Sequence, residues 1–216
     1  MTPPPPRPMI YHITHLDNLP GIIADGGLVS DSTMVARGGP PATIGMTGIK
    51  KRRIEDYEVG CHPGHKVGQF VPFYFCPRSI MLYVIHRANH PDLAYRGGQD
   101  QIVHLEADLH RVIRWADDRA RPWAFSLSNA GAAYATFLNQ VERLNQLNWP
   151  AIGATDFRPP DVKEGKQAEF LVLDDFPWEL IARIGVRSAG IQSRVSSVIR
   201  TARHLPPVEV LPGWYY

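Results

Sequence analysis

"KEGKQAEFLVLDDFPWEL", residues 163–180, sets Glu169 at the head of the apolar run 170–173, which has the length and composition of a buried strand. A glutamate in that place has two readings. It is an edge charge turned to solvent, or a carboxylate held by a sheet and presented to a cleft. The preceding segment, 150–168, is polar and carries Pro159, Pro160 and Gly165, so it reads as an irregular connector. Loops of that length inside a compact domain are usually functional or disordered. It also brings three cations, Arg158, Lys163 and Lys166, close in sequence to Glu169.

The chain around this stretch has 216 residues, enough for one sizeable core without a second domain. Its hydrophobic content is 44% and its net charge +2, so overall charge announces no nucleic-acid partner. Local charge is more informative. Between Glu179 and Glu209 there is no acidic residue, while Arg183, Arg187, Arg194, Arg200 and Arg203 fall there. Such a one-sign segment suits a polyanion, and equally a solvated helix face. Cys61 and Cys76 give no disulfide framework. No stretch approaches the ~18 apolar residues of a membrane span, and the N-terminus lacks the apolar region of a signal peptide. The expectation is a cytoplasmic protein with no membrane partner. Residues 1–8, rich in proline, read as a flexible arm outside a domain over 9–216.

The order of elements predicts a single α+β domain. Strands are expected at 9–13, 69–75, 101–107 and 169–173, with another candidate in "WELIARIGV", 178–186. Pro72 marks the second as irregular or an edge strand. A short helix is expected over 18–24, capped by Asp17 and stopped by Gly26-Gly27, and further helices from Pro77 and over 190–203. Ser128 reads as the N-cap of a long helix to about Leu147, because Ala132, Ala133, Phe137, Val141 and Leu144 share a face.

Some chemistries are disfavoured by spacing. Cys61, His62, His65 and Cys76 have the residue types of a metal site but match no zinc pattern, so no metal is expected. There is no phosphate-binding P-loop and no Rossmann glycine fingerprint. Two polar clusters remain besides Glu169. In "YHITHLDNLPGII", 11–23, His12 and Thr14 share one side of a strand, where they either meet a ligand or satisfy one another. In "IKKRRIEDYEV", 49–59, four cations precede Glu55, Asp56 and Glu58, a pattern that an exposed, ion-paired helix also produces.

Taken together, "YHITHLDNLPGII", "IKKRRI", "VPFYFCPRSIMLYVI" and "KQAEFLVL" make the chain resemble the DarT family, toxins that transfer ADP-ribose from NAD onto DNA and are paired with a macrodomain antitoxin. The order and spacing of these pieces run from Met9 to the terminal "PGWYY". The departures are the proline-rich start, Cys76-Pro77 where a small residue is expected, Ile80 where the family often has Pro, and Asn129 near where it often has His.

The resemblance implies an ADP-ribosyltransferase fold, two small sheets forming an NAD cleft flanked by helices. It implies Glu169 and Arg53 as catalytic residues, and His12, Thr14, Asn18 and Arg53 as NAD contacts. Segment 153–168 would be the substrate-recognition loop, and the acceptor a base of single-stranded DNA, thymine before guanine, in a short sequence context. DNA contacts are expected from Arg52, Tyr74, Arg78, Arg158, Lys163 and Lys166. Tyr74 stands in the aromatic run with Phe73 and Phe75, of which alternate members must face the core. The competing expectations are an RNA or protein acceptor, and a non-enzymatic nucleic-acid-binding module built on the arginine-rich segment.

Overall fold

The first strand, β1 (Met9–His15), pairs along its whole length with β4 (Ile102–Asp108), antiparallel, from Met9 opposite Asp108 to His15 opposite Ile102. Toward β3 (Phe70–Tyr74) it makes one pair only, Tyr11 opposite Tyr74. The reason is Pro72. On its other edge β3 pairs with β7 (Ala168–Leu173), and just before β3 the Gln69 carbonyl accepts from the Asp174 N–H on that side. Main-chain groups alternate along a strand, so those of Pro72 point the other way, at β1. Proline has no N–H to give there, and its carbonyl is taken instead by the His12 ring at 2.8 Å. The ladder stops and the strands part.

The computed structural model describes residues 3–216. In it, eight strands run in the order β10-β9-β4-β1-β3-β7-β5-β6, completed by β5 (Trp123–Asn129), β6 (Phe137–Leu138), β9 (Arg183–Val186) and β10 (Val208–Val210). The single pair Tyr11–Tyr74 divides this sheet into two four-stranded halves, which is the form the expected pair of sheets takes. A separate two-stranded sheet joins β2 (Gly27–Val29) to β8 (Asp175–Pro177). A Cβ at Gly27 would collide with the Phe176 carbonyl, so this contact requires glycine.

Around the sheets lie α1 (Leu19–Ala24), α2 (Asp31–Ala36), α3 (Thr47–Glu55), α4 (Ile80–Arg87), α5 (Leu109–Asp117), α6 (Trp149–Gly153), α7 (Pro160–Gly165) and α8 (Ala189–Ile199). The apolar faces of α5 (Val112, Ile113, Trp115, Ala116) and α8 (Ile191, Val195, Ile199) close one continuous core with Phe73, Phe170, Val172 and Phe176.

Several expectations are corrected. The long helix from Ser128 does not form: residues 123–138 make the β5–β6 hairpin, and 141–146 a 3₁₀ segment. The helical spacing there was a coincidence of three local structures: Ala132 and Ala133 lie in the turn between β5 and β6, Phe137 is in β6, and Val141 and Leu144 belong to the 3₁₀ segment. Asp17 caps nothing. His15 caps a 3₁₀ turn over Leu16–Asn18, accepting from the Asp17 N–H at 3.2 Å, and α1 follows. The helix expected from Pro77 begins at Ile80, capped by Ser79. The connector 150–168 contains α6 and α7. Of the proline-rich arm, Met1 and Thr2 lie outside the described residues, while Arg7 pairs with Asp108 at 2.7 Å and Pro8 is buried. The arm's last two residues are therefore tied to β4 and the start of α5.

Candidate active site

Where β1 and β3 part, a cleft of about 360 Å³ opens. Its floor is a buried ion pair. Glu169, 3% exposed near the start of β7, receives Arg53 Nη1 on both carboxylate oxygens and Nη2 on Oε2, each at 3.0 Å. Arg53, 8% exposed, comes from the last turn of α3 and turns inward, while its neighbour Arg52 is exposed. Burial works against the Arg53 charge, but the Glu169 carboxylate, then Asp31 and Tyr74, outweigh it and hold its pKa above the ordinary value. Its Nε is buried with no protein partner.

The backbone of Glu169 is held by an irregularity in β5. Between Phe125 and Asn129 the β5–β7 register shifts, a bulge of the kind that re-aims groups beside active sites. Within it Ser126 Oγ accepts from the Glu169 N–H at 3.0 Å and donates to the Ser128 carbonyl at 2.6 Å. The Ala130 N–H then reaches Glu169 Oε1 at 3.1 Å. Asn129 donates to Gln167 Oε1 at 3.2 Å and accepts from the Gly131 N–H at 2.8 Å. No periodicity in the sequence signals a bulge, and this is why Ser126 and Ala130 were not foreseen.

The other wall comes from β1 and the loop before α3. The Pro72 carbonyl is an acceptor, so His12 Nδ1 carries the hydrogen and its Nε2 is a bare acceptor. Burial lowers the His12 pKa, which keeps the ring neutral. Asn18 donates to Thr14 Oγ1 at 3.1 Å and exchanges two hydrogen bonds of 2.9 Å with Ala42, fastening the loop 37–46 over the cleft. Tyr74 lies opposite Glu169 across the β3–β7 pair, on the cleft face, while Phe73 and Phe75 are core. Burial, and then Glu169, push the Tyr74 phenol above its ordinary pKa.

His12, Thr14, Asn18, Arg53, Tyr74 and Glu169 thus line one cleft. The remaining expected DNA contacts stand elsewhere. Lys166 is buried, its Nζ bonded to the Ile152 carbonyl at 2.8 Å, so it is a structural lysine and not a surface cation. Arg158 is exposed and paired with Asp156 at 2.6 Å, Lys163 is exposed, and the half-buried Arg78 lies over the Tyr216 ring at 4.4 Å. In the arginine-rich segment, Arg183 is engaged by Glu106 and Glu209, and Arg187 by Asp100. Among the described residues no group of three or more His, Cys, Asp or Glu stands together as metal ligands.

The family model described as "ssDNA thymidine ADP-ribosyltransferase, DarT" matches residues 11–216. The chain belongs to the DarT family. A DNA ADP-ribosyl transferase of Thermus aquaticus is 41% identical over 212 residues, covering 96% of this chain and 89% of that protein. The structure of Thermus sp. 2.9 DarT in complex with ADP-ribosylated ssDNA superposes with a TM-score of 0.87, at 37% identity and over 98% of each chain. The structure of that protein with NAD+ gives a TM-score of 0.80 at 35% identity, over 98% of this chain and 99% of the other. As a DarT enzyme the chain is an NAD-dependent DNA ADP-ribosyltransferase, and the expectation of a non-enzymatic binding module is set aside.

Proposed function

We propose that Glu169 and Arg53 form the catalytic pair with which this DarT enzyme moves ADP-ribose from NAD to a thymine of single-stranded DNA. The observation that carries the reading is the Arg53–Glu169 fork on the floor of the cleft. In the reaction the bond between the nicotinamide nitrogen and the ribose anomeric carbon breaks, and nicotinamide leaves with the electron pair. Positive charge develops on the ribose. A fixed carboxylate hydrogen-bonded to the ribose hydroxyls stabilises that charge, and preorganised groups of this kind contribute ~10²–10³ in rate each. Thymine in DNA has one ring nitrogen that carries a proton. Once that proton passes to water, the nitrogen's electron pair forms the new bond to the anomeric carbon. Arg53, released from Glu169 as the ribose takes the carboxylate, stabilises the base anion.

The wall residues fit the donor. Neutral His12, with Nε2 as acceptor, and the Thr14 hydroxyl suit the hydroxyls and amide of the nicotinamide half, and Asn18 holds the loop that covers it. Tyr74, beside Glu169, offers a ring for the incoming base. Single-stranded DNA supplies an unstacked base without the unpairing cost of a few kcal/mol. Arg52, Arg78, Arg158 and Lys163 are cations for the strand's phosphates.

A covalent adduct on a template base blocks copying, so the enzyme acts as a growth-inhibiting toxin in the cytoplasm, restrained by a macrodomain antitoxin. The test incubates the protein with labelled NAD and, separately, single-stranded DNA, RNA and protein. The expected result is one ADP-ribose mass added to a thymine-containing oligonucleotide. Label on a thymine-free, guanine-containing strand, on RNA or on protein would move the acceptor accordingly.

A further inference from the structure

We propose that Lys50 receives the pyrophosphate of NAD, exchanging Asp31 for the dinucleotide as it enters; this rests on the transferase reading above. NAD brings two phosphate charges, and the cleft must meet them. Its lining has two permanent cations, Lys50 and Arg53. Arg53 is held at the floor of the cleft by Glu169, with three contacts of 3.0 Å, and once released there it faces the base anion rather than the phosphates. His12, facing the same cleft, is kept neutral by burial. That leaves Lys50.

Its position suits the role. Lys50 lies three residues before Arg53 on α3, so the two share a helix face. The Lys50 stem runs over Gly45, where an added Cβ would stand 2.9 Å from Lys50 Cε, so the glycine leaves the space that the stem occupies. The ammonium pairs with Asp31 at 2.8 Å, and the two side chains keep 27% and 19% of their exposure. The pair is therefore within reach of an entering ligand. Asp31 acts as a placeholder anion that keeps the lysine aimed into the cleft and gives way to a dianion.

The competing account is that Lys50–Asp31 is a clasp holding α2 against α3. The two accounts predict opposite signs for Asp31. Binding of carba-NAD+, an analogue that is not cleaved, is measured by calorimetry for the unsubstituted chain, Lys50→Gln, Lys50→Arg and Asp31→Asn. A charge-assisted contact predicts that Lys50→Gln weakens binding tenfold or more, and that Lys50→Arg stays within a few-fold of the unsubstituted chain. Asp31→Asn, which removes the competing anion, should leave binding unchanged or tighter. A clasp instead weakens binding in both Lys50→Gln and Asp31→Asn, and that result overturns the proposal, as does unchanged binding in Lys50→Gln. Should Lys50→Gln fail to fold, the Asp31→Asn result decides alone. If the unsubstituted chain binds no carba-NAD+, the transferase reading itself fails. Binding by that chain with Lys50→Gln unaffected removes only the role of Lys50.

Discussion

Arg53 and Glu169, 116 residues apart in the chain, meet as a buried fork in which each carboxylate oxygen accepts from the guanidinium at 3.0 Å. The same carboxylate also accepts from the Ala130 N–H, so its position is set by three elements: α3, β7 and the end of the β5 bulge. Glu169→Gln keeps the shape and the bulge contacts but removes the charge. Transfer to DNA should fall by about two to three orders of magnitude, while NAD affinity stays within several-fold. Single-turnover rates with labelled NAD beside equilibrium binding separate the two effects, and full activity in this variant would end the catalytic assignment.

Arg53 and its exposed neighbour Arg52 make a matched pair of tests. Arg53→Ala leaves the Glu169 carboxylate buried without its counter-ion, a defect that costs about 3–5 kcal/mol in comparable pairs. It should therefore lower the melting temperature as well as abolish modification. Arg52→Ala should fold as the unsubstituted chain does and lose only part of its DNA use. Thermal melts beside the modification assay check both, and a dead Arg52→Ala protein that folds normally would reverse the roles.

Ser126 does not line the cleft but fixes the Glu169 backbone, accepting from its N–H at 3.0 Å. Ser126→Ala strands that buried N–H, at a cost of about 1–3 kcal/mol. As a positioning residue it should lower kcat about tenfold with little change in KM for NAD. A purely structural role would appear in denaturant midpoints alone, with kcat intact.

His104 sets a pH limit on stability. Its Nε2 donates to the Pro77 carbonyl at 2.9 Å, so the bare nitrogen is Nδ1, which is buried without a partner. Burial lowers its pKa from 6.5 to about 4. The unfolded chain therefore binds this proton more readily than the folded one. Stability is unaffected by His104 above pH 6.5 and is lost as pH falls toward 4. At about 1.4 kcal/mol per pK unit, the interval amounts to ~3 kcal/mol. Urea midpoints measured between pH 7 and pH 4 should show this loss, and His104→Gln should flatten that part of the profile.

The cleft residues were legible in sequence where a short motif stays within one element. Strand alternation put His12 and Thr14 on one side, and Glu169 stood at the head of an apolar run, but both patterns left a second reading open and the resemblance to the DarT family chose between them. What was not legible depends on pairing between distant segments. The β5 bulge is created by β7, whose Glu169 N–H needs an acceptor that the ladder does not supply, and the spacing of 128–144 imitated a helix. Pro72 was read as an edge signal and stands inside the sheet order, yet toward β1 it acts as an edge, since that is where the ladder stops. Lys166 looked like a loop cation because sequence gives charge but not direction. Packing turns it inward to the Ile152 carbonyl.

That inward turn leaves Arg158 and Lys163 as the exposed cations of the segment before Glu169. Arg158 lies between α6 and α7 and is held by Asp156 through its Nε and Nη2. Lys163 is in the last turn of α7. If this segment meets the DNA strand through phosphates, replacing both residues by alanine should weaken DNA modification and leave slow NAD hydrolysis intact, because neither residue lines the cleft proposed for the donor. The dependence of log rate on log salt should become shallower by roughly 0.7 per lost contact, the single-strand value. Arg158 must leave Asp156 to bind, so Asp156→Asn should strengthen DNA use at low salt. A base-reading role would instead relax the preferred sequence context with the slope unchanged, and a plain connector would alter neither. A salt titration of modification on one short oligonucleotide, with the unsubstituted chain, the double variant and Asp156→Asn side by side, distinguishes the three; an unchanged slope in the double variant rules out phosphate contact by this loop.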